Sequence, residues 1–255
     1  MTETILKTLE AIEKEHNIRI LYAVESGSRA WGFSSADSDY DVRYIFIRPR
    51  KDYLRIDGLP DTITGPLDDV LDFSGWDLKK ALFLLRKTNP SLMEWIHSPI
   101  VYRTSESWQA LSPHFPGFFV PAFNMQHYYA MLANNWKACG KGDQVNLKRC
   151  LYALRPLLCC RWLEQFGSAP PVRFDELCRA VLPEELEPAV TELLKQKQAA
   201  GEKDLTNRFP ALDTFIQQEL ARLQEDRMHM PFVEMPGFEK LNELFWSVLD
   251  REENP

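Results

Sequence analysis

The sequence predicts an α+β chain in which a domain of strands and helices is followed by an all-α helical bundle. Three observations carry this. Short runs rich in β-branched and aromatic residues, at 18–24 (IRILYAV), 41–47 (DVRYIFI) and 69–73 (DVLDF), all fall early in the chain. From Asn124 onward the apolar residues recur at helical spacing, with almost no strand pattern. Between these regimes stand Pro113, Pro116 and Pro121, which place a domain boundary there and divide the chain into residues 1–115 and 116–255.

The elements follow in order. Thr4 can cap a first helix whose Ile5, Leu6, Leu9 and Ile12 share one face. The strand at 18–24 is broken by Gly27, Ser28 and Gly32, and the strand at 41–47 is stopped by Pro49. A short strand is expected at 62–64 and a third full strand at 69–73, with Ser74-Gly75-Trp76 breaking it. Asp77 sits where a helix cap belongs, ahead of Leu78, Ala81, Leu82 and Leu85, and Asn89-Pro90 ends that helix. A short helix at 92–96, an extended piece at 99–102 and a short helix from Ser105 complete the first part. Six helices are expected after it, at about 124–139, 145–166, 174–181, 184–200, 209–227 and 238–250.

The composition is that of an ordinary globular protein: 255 residues, 45% apolar, 26% charged, with a net charge of −7. No apolar run is long enough to suggest a membrane span, and the charged start of the chain does not look like a signal peptide. The five cysteines show no metal-binding or redox spacing, which fits reduced thiols in a cytoplasmic protein. His97, His114 and His127 likewise show no ligand spacing. Net acidity argues mildly against long nucleic-acid contacts, so any such contact needs a local patch.

One stretch carries chemistry. Gly27-Ser28 is followed, after ten residues, by Asp39-Tyr40-Asp41 at the head of a strand. Carboxylates at i and i+2 of a strand lean to one face, where they can share hard divalent cations. A small-residue turn lets backbone amides and the Ser28 hydroxyl approach phosphate oxygens, and Arg29 adds a positive charge. Asp72, on the third expected strand, is the best candidate for a third carboxylate. Asp77 is the reserve, although helix capping explains it more simply. A polar surface loop is the competing account of either half of the motif alone. The two halves together, flanked by strands and joined by a third strand-borne aspartate, outweigh it. A calcium loop is a weaker rival, because the following glycine and terminal glutamate of an EF-hand loop are missing and strands flank the pair.

These residues resemble the signature of polymerase-β-like nucleotidyltransferases. Four blocks, ESGSRAWGF (25–33), SDYDVRYIF (38–46), GWDLKKAL (75–82) and NPSLMEWIHSPIVY (89–102), are more particularly similar to the RlaP family, nucleotidyltransferases linked to RNA repair. The resemblance implies an N-terminal nucleotidyltransferase domain with a short mixed sheet. It implies that Gly27 and Ser28 hold nucleotide phosphates and that Asp39 and Asp41, with Asp72 as third carboxylate, bind two Mg²⁺ (or Mn²⁺) ions. It also implies a nucleoside triphosphate as partner and RNA as a candidate acceptor. Glu25, just before the turn, is left open between orienting Arg29 or Arg43 and binding substrate.

In the second half, Leu147, Leu151, Leu154 and Leu158 form an apolar stripe, while Lys148, Tyr152 and Arg155 lie on another face at i, i+4 and i+7. A base resting on Tyr152, with Lys148 and Arg155 on phosphates, would make this a nucleotide-binding face. A solvated helix face is the alternative, and the similarity of KRCLYALRP (148–156) to a block of the same family favours function. Pro156 would kink this helix or mark its first turn. Trp76, Trp95, Trp108, Trp136 and Trp162 read as core. Trp31 and Phe33 either pack under the motif or touch the base. The sequence thus points to an enzyme moving a nucleoside monophosphate from a triphosphate to an acceptor hydroxyl. The acceptor is an RNA end, a small molecule or a protein. A nucleotide- or RNA-binding module without turnover is the reading from another class.

Overall fold

The computed structural model describes residues 1–35, 37–65, 70–139, 142, 144–199, 205–228 and 233–253. In chain order the elements are α1 (Thr2–His16), β1 (Arg19–Glu25), α2 (Gly27–Trp31), β2 (Tyr40–Ile47), α3 (Arg50–Tyr53), β3 (Thr62–Thr64), β4 (Leu71–Asp77), α4 (Leu78–Arg86), α5 (Pro90–Ile96), β5 (Val101–Thr104) and α6 (Glu106–Leu111). After a 3-10 segment come α7 (Pro121–Ala138), β6 (Gln144–Asn146), α8 (Leu147–Phe166), α9 (Phe174–Val181), α10 (Glu187–Ala199), β7 (Leu205–Asn207), α11 (Pro210–Met228) and α12 (Glu239–Glu253). The fold is α+β, with a mixed five-stranded sheet and a helical C-terminal region.

The chain forms two compact units: Met1–Ala30, Asp39–Phe119 and Met235–Pro255 in the first, Trp31–Ser38 and Val120–Glu234 in the second. The chain passes from the first unit to the second between Phe119 and Val120, and two segments depart from a simple division. The spacer inside the motif belongs to the second unit, and the C-terminal helix returns to the first. Leu241, Leu244, Val248 and Leu249 of α12 are buried in the same core cluster as Leu21, Ile45 and Leu82. Apolar spacing shows that a helix must bury a face, but not which distant surface receives it.

In the first unit the sheet order is β3-β4-β2-β1-β5. Only β2 and β4 run parallel; the other pairs are antiparallel. One face is covered by α1, whose Ile5, Leu9 and Ile12 join Ile20, Ala23, Val42, Tyr44, Phe46 and Phe73. The other face meets α4, α5, α6 and α12. Strict alternation would put Leu21 and Tyr22 on opposite faces, yet both join the second cluster. The register shift between Ile20 and Tyr22 explains this, because a bulge residue resets the phase of a strand. Trp76 stacks on Trp95 at 3.8 Å and Trp108 on Tyr22 at 4.5 Å, in the core role expected of them.

β4 corrects the expected third strand. It starts at Leu71 and runs through Ser74-Gly75-Trp76 instead of breaking there; Asp69 lies outside the described residues. A Cβ at Gly75 would stand 2.0 Å from the Tyr44 ring, so this glycine admits the tyrosine of β2. A glycine serving close packing and one serving a turn look alike in sequence.

The second unit is helical, with one ribbon the sequence did not suggest: β6 and β7 pair antiparallel, Gln144 with Asn207 and Asn146 with Leu205. The ribbon takes residues 145 and 146 from the expected helix. Asn146 caps α8, its Oδ1 accepting from the Arg149 amide at 3.0 Å. The helix continues through Pro156 to Phe166. No described helix is long and apolar enough to cross a membrane. The five cysteines are free thiols, four of them buried.

Candidate active site

The site begins where β1 ends. Glu25 is fully buried, and its backbone amide donates to the Ile100 carbonyl at 2.9 Å. Its Oε1 accepts from the Asp41 amide at 2.7 Å and its Oε2 from the Tyr102 hydroxyl. Burial raises its carboxyl above the usual range; those two hydrogen bonds and the Arg29 charge oppose the rise, while the Asp41 charge adds to it. The structure therefore gives Glu25 a role the sequence left open: it holds the backbone of β2 at Asp41.

The chain then turns at Gly27, with φ +60°. A Cβ here would lie 2.1 Å from Asp41 Oδ2, so both the backbone conformation and the close approach require glycine. The expected small-residue turn is in fact the start of α2, a helix of five residues that holds Ser28, which is buried. Arg29 lies over the Tyr40 ring at 3.7 Å and donates from Nε to the Asp39 carbonyl at 3.0 Å. That bond fixes the backbone just ahead of β2 and leaves the exposed Asp39 side chain facing solvent.

Asp41 and Asp72 are register partners on the parallel pair β2 and β4, which sets their backbones about 4.8 Å apart. Their side chains are 28% and 37% exposed. Between them lies Arg43, two residues along β2 from Asp41 and so on the same face. Its Nη2 donates to Asp41 Oδ1 at 2.8 Å and to Asp72 Oδ2 at 2.7 Å. Its Nη1 donates to the Asp72 carbonyl at 2.9 Å and the Val42 carbonyl at 3.3 Å. Sequence reading weighed Arg43 only as a side chain for Glu25 to orient. The signal for its role was its period-2 relation to Asp41 within DYDVR.

Asp77 lies five residues further along β4, about 17 Å away by strand rise. It caps α4, accepting from the Lys79 amide at 2.8 Å and from the Tyr53 hydroxyl at 2.9 Å. Capping is thus its structural role. A cavity of ≈ 540 Å³ opens at that end, lined by Arg48, Tyr53, Asp77 and Phe238 among others, and by none of Gly27, Ser28, Asp39, Asp41 or Asp72.

The remaining candidates belong to the second unit. Arg155 is 1% exposed; its guanidinium lies 4.5 Å over the Trp31 ring, and Nη2 donates to the Val172 carbonyl at 3.1 Å. Tyr152 meets Trp31 edge-on at 5.0 Å, and Lys148 lies 5.7 Å from the Tyr152 ring centre. The expected basic face is therefore half-buried at Lys148 and Tyr152 and enclosed at Arg155. Trp31 and Phe33 are buried, and Phe33 meets Phe174 edge-on at 5.4 Å. These rings anchor the motif spacer in this unit. Lys197 is buried too, donating to Ser35 Oγ at 2.8 Å. Ala36 lies outside the described residues.

Among the described residues no three His, Cys, Asp or Glu side chains are gathered as a metal cage. Mg²⁺ is ordinarily held by one or two carboxylates together with substrate phosphates, not by a protein cage. The hard oxygen donors of Asp41 and Asp72, side by side and part-exposed, fit that use.

A family model described as "RlaP: RNA repair pathway DNA polymerase beta family" matches residues 1–247. The chain belongs to the RlaP family. Membership makes it a polymerase-β-like nucleotidyltransferase by family, in agreement with the four sequence blocks. This RlaP chain is 38% identical, over 255 residues, to "Uncharacterized protein YcgL" of Bacillus subtilis (strain 168), covering 98% of this chain and 97% of the relative. A nucleotidyltransferase-like protein from Exiguobacterium sibiricum 255-15, of known crystal structure, is 15% identical with a TM-score of 0.32, over 88% of this chain and 74% of its own. That likeness is too slight to bear on the fold.

Proposed function

We propose that this RlaP-family chain transfers a nucleoside monophosphate from a nucleoside triphosphate to an acceptor hydroxyl. The observation that carries the reading is the in-register pair Asp41 and Asp72, part-exposed on one sheet face, with Gly27 against the Asp41 carboxylate. Asp39, Asp41 and Asp72 would hold divalent ions, two of Mg²⁺ or Mn²⁺. Such ions neutralise charge on the transferring phosphoryl group and favour ionisation of the attacking hydroxyl.

The chain's own residues have separate tasks. Gly27 and Ser28 receive phosphate oxygens. Asp72 takes the acceptor proton as the hydroxyl oxygen bonds to the α-phosphorus. The bond from that phosphorus to the oxygen bridging to the β-phosphate breaks, and pyrophosphate leaves. Glu25, through the Asp41 amide, and Arg29, through the Asp39 carbonyl, keep the two aspartates in position. Within the second unit, Arg155 supports Trp31.

The acceptor we propose is an RNA end, in line with the family's description. Its phosphates need local cations, because the chain is acidic overall. The test is incubation with each α-labelled triphosphate, Mg²⁺ or Mn²⁺ and RNAs bearing defined ends. Label appearing on RNA with release of pyrophosphate is the expected result. Label on protein or on a small molecule would redirect the acceptor. Binding of all four triphosphates without pyrophosphate release would favour the module without turnover.

A further inference from the structure

We propose that Arg43 is a placeholder cation. Its guanidinium occupies the position between Asp41 and Asp72 that a divalent ion takes when a triphosphate arrives. Metal and triphosphate therefore bind cooperatively. The proposal rests on the reading of Asp41 and Asp72 as metal ligands.

The geometry behind it is specific. A single nitrogen, Nη2, reaches both carboxylates, at 2.8 and 2.7 Å. An N–H donor and a hard cation seek the same carboxylate lone pairs. An ion between these two oxygens would overlap Nη2, so one occupant excludes the other. Two carboxylates paired across parallel strands repel unless a cation lies between them. Arg43 supplies that cation from two residues along the same strand. It is 16% exposed, and the carboxylates are more exposed still, so the arrangement opens to solvent on one side. The contrast with Asp77 is informative, because Asp77 is tied by a backbone amide and a tyrosine hydroxyl and has no need of exchange.

Displacement has a direction set by charge. Metal alone must eject Arg43 and leave the guanidinium beside a dication, which is unfavourable. A triphosphate arriving with the metal accepts the freed guanidinium through the paired N–H contacts arginine makes with phosphate. The two ligands then assist one another, and by linkage each raises the affinity of the other by the same factor.

The test uses the full chain as wild type, Arg43→Gln and Arg43→Lys. Mn²⁺ binding is followed by electron paramagnetic resonance without nucleotide, and inorganic tripolyphosphate binding by calorimetry at fixed Mn²⁺. Arg43→Gln should bind Mn²⁺ alone about tenfold more tightly than wild type and tripolyphosphate about tenfold more weakly, within the usual range of coupling factors. Arg43→Lys should fall between, since an ammonium is a point charge without the fork. Adding Asp41→Asn to Arg43→Gln should remove the gained Mn²⁺ affinity. Melting curves in EDTA report folding, and Arg43→Lys carries the comparison if Arg43→Gln is unfolded. Equal Mn²⁺ affinity in wild type and variants would overturn the proposal and leave the metal-ligand reading standing. Loss of both affinities together would also overturn it, by making Arg43 merely structural. Absence of Mn²⁺ binding in every protein, with or without tripolyphosphate, would overturn the metal-ligand reading and the proposal with it.

Discussion

At one end of the parallel pair β2 and β4 Arg43 lies between Asp41 and Asp72, at the other Arg48, just past β2, lies beside Asp77, and the two ends differ in how those charges are satisfied. At the far end Asp77 is 4% exposed. It accepts from the Lys79 amide and the Tyr53 hydroxyl, with Arg48 Nε at 3.8 Å. At the near end two carboxylates share the single guanidinium of Arg43 and remain part-exposed. The same residue types therefore make a buried structural joint at one end and a part-exposed cluster at the other. A carboxylate held by backbone and hydroxyl donors is committed to the fold. One held by a side-chain cation and open to solvent on one side is not so committed.

That contrast is open to attack at several strengths. The largest effect is expected at the exposed end: Asp39→Asn or Asp41→Asn should lower nucleotide transfer by up to about a thousandfold, the upper end of the scale on which removing a group that stabilises transition-state charge is felt. Melting temperatures should stay close to wild type. Undiminished turnover in both variants, measured with labelled triphosphate, would end the catalytic reading of the motif. Asp72→Asn should cost about a hundredfold in turnover, the lower range for a general base, again with the fold intact.

Gly27→Ala should lose both activity and stability. The left-handed backbone alone costs about 1–2 kcal/mol with a Cβ, and that Cβ would push on Asp41. A chemical melt beside a rate measurement would detect both losses. A variant of normal stability and rate would mean that the close approach at Asp41 is not needed.

The smallest effect on chemistry belongs to the far end. Asp77→Ala should destabilise by about 0.5–2 kcal/mol, the range for a lost helix cap, while activity per folded molecule is kept. Asp77→Asn, still a capping residue, should lose less. Its pH dependence has a definite sign. Burial raises the Asp77 carboxyl above its ordinary value, against the Lys79 amide, Tyr53 and Arg48. Such a group favours the folded state when protonated, and that contribution is lost as pH rises from about 4, the unfolded value, through the raised folded one. Asp77→Asn cannot ionise, so its stability relative to wild type should improve across that window. Denaturant titrations at several pH values would measure this. A difference that does not vary with pH would show Asp77 titrating alike in both states.

Much of this was legible in the chain itself. The β-branched and aromatic run at 41–47 and the helical spacing after Asn124 determined the α+β layout, because both follow from local backbone geometry. The Gly27-Ser28 and Asp39-x-Asp41 spacing, with the four blocks around it, determined the family and the candidate carboxylates. Only tertiary structure decided the rest. It set Asp72 beside Asp41 through a parallel pairing that no local pattern encodes, and drew Arg43 between them. It buried Arg155 against Trp31 where helical spacing suggested an open face, and returned α12 to the first unit. The reason is common to all of these: sequence period tells which face of an element is apolar or charged, whereas the partner of that face comes from residues far along the chain.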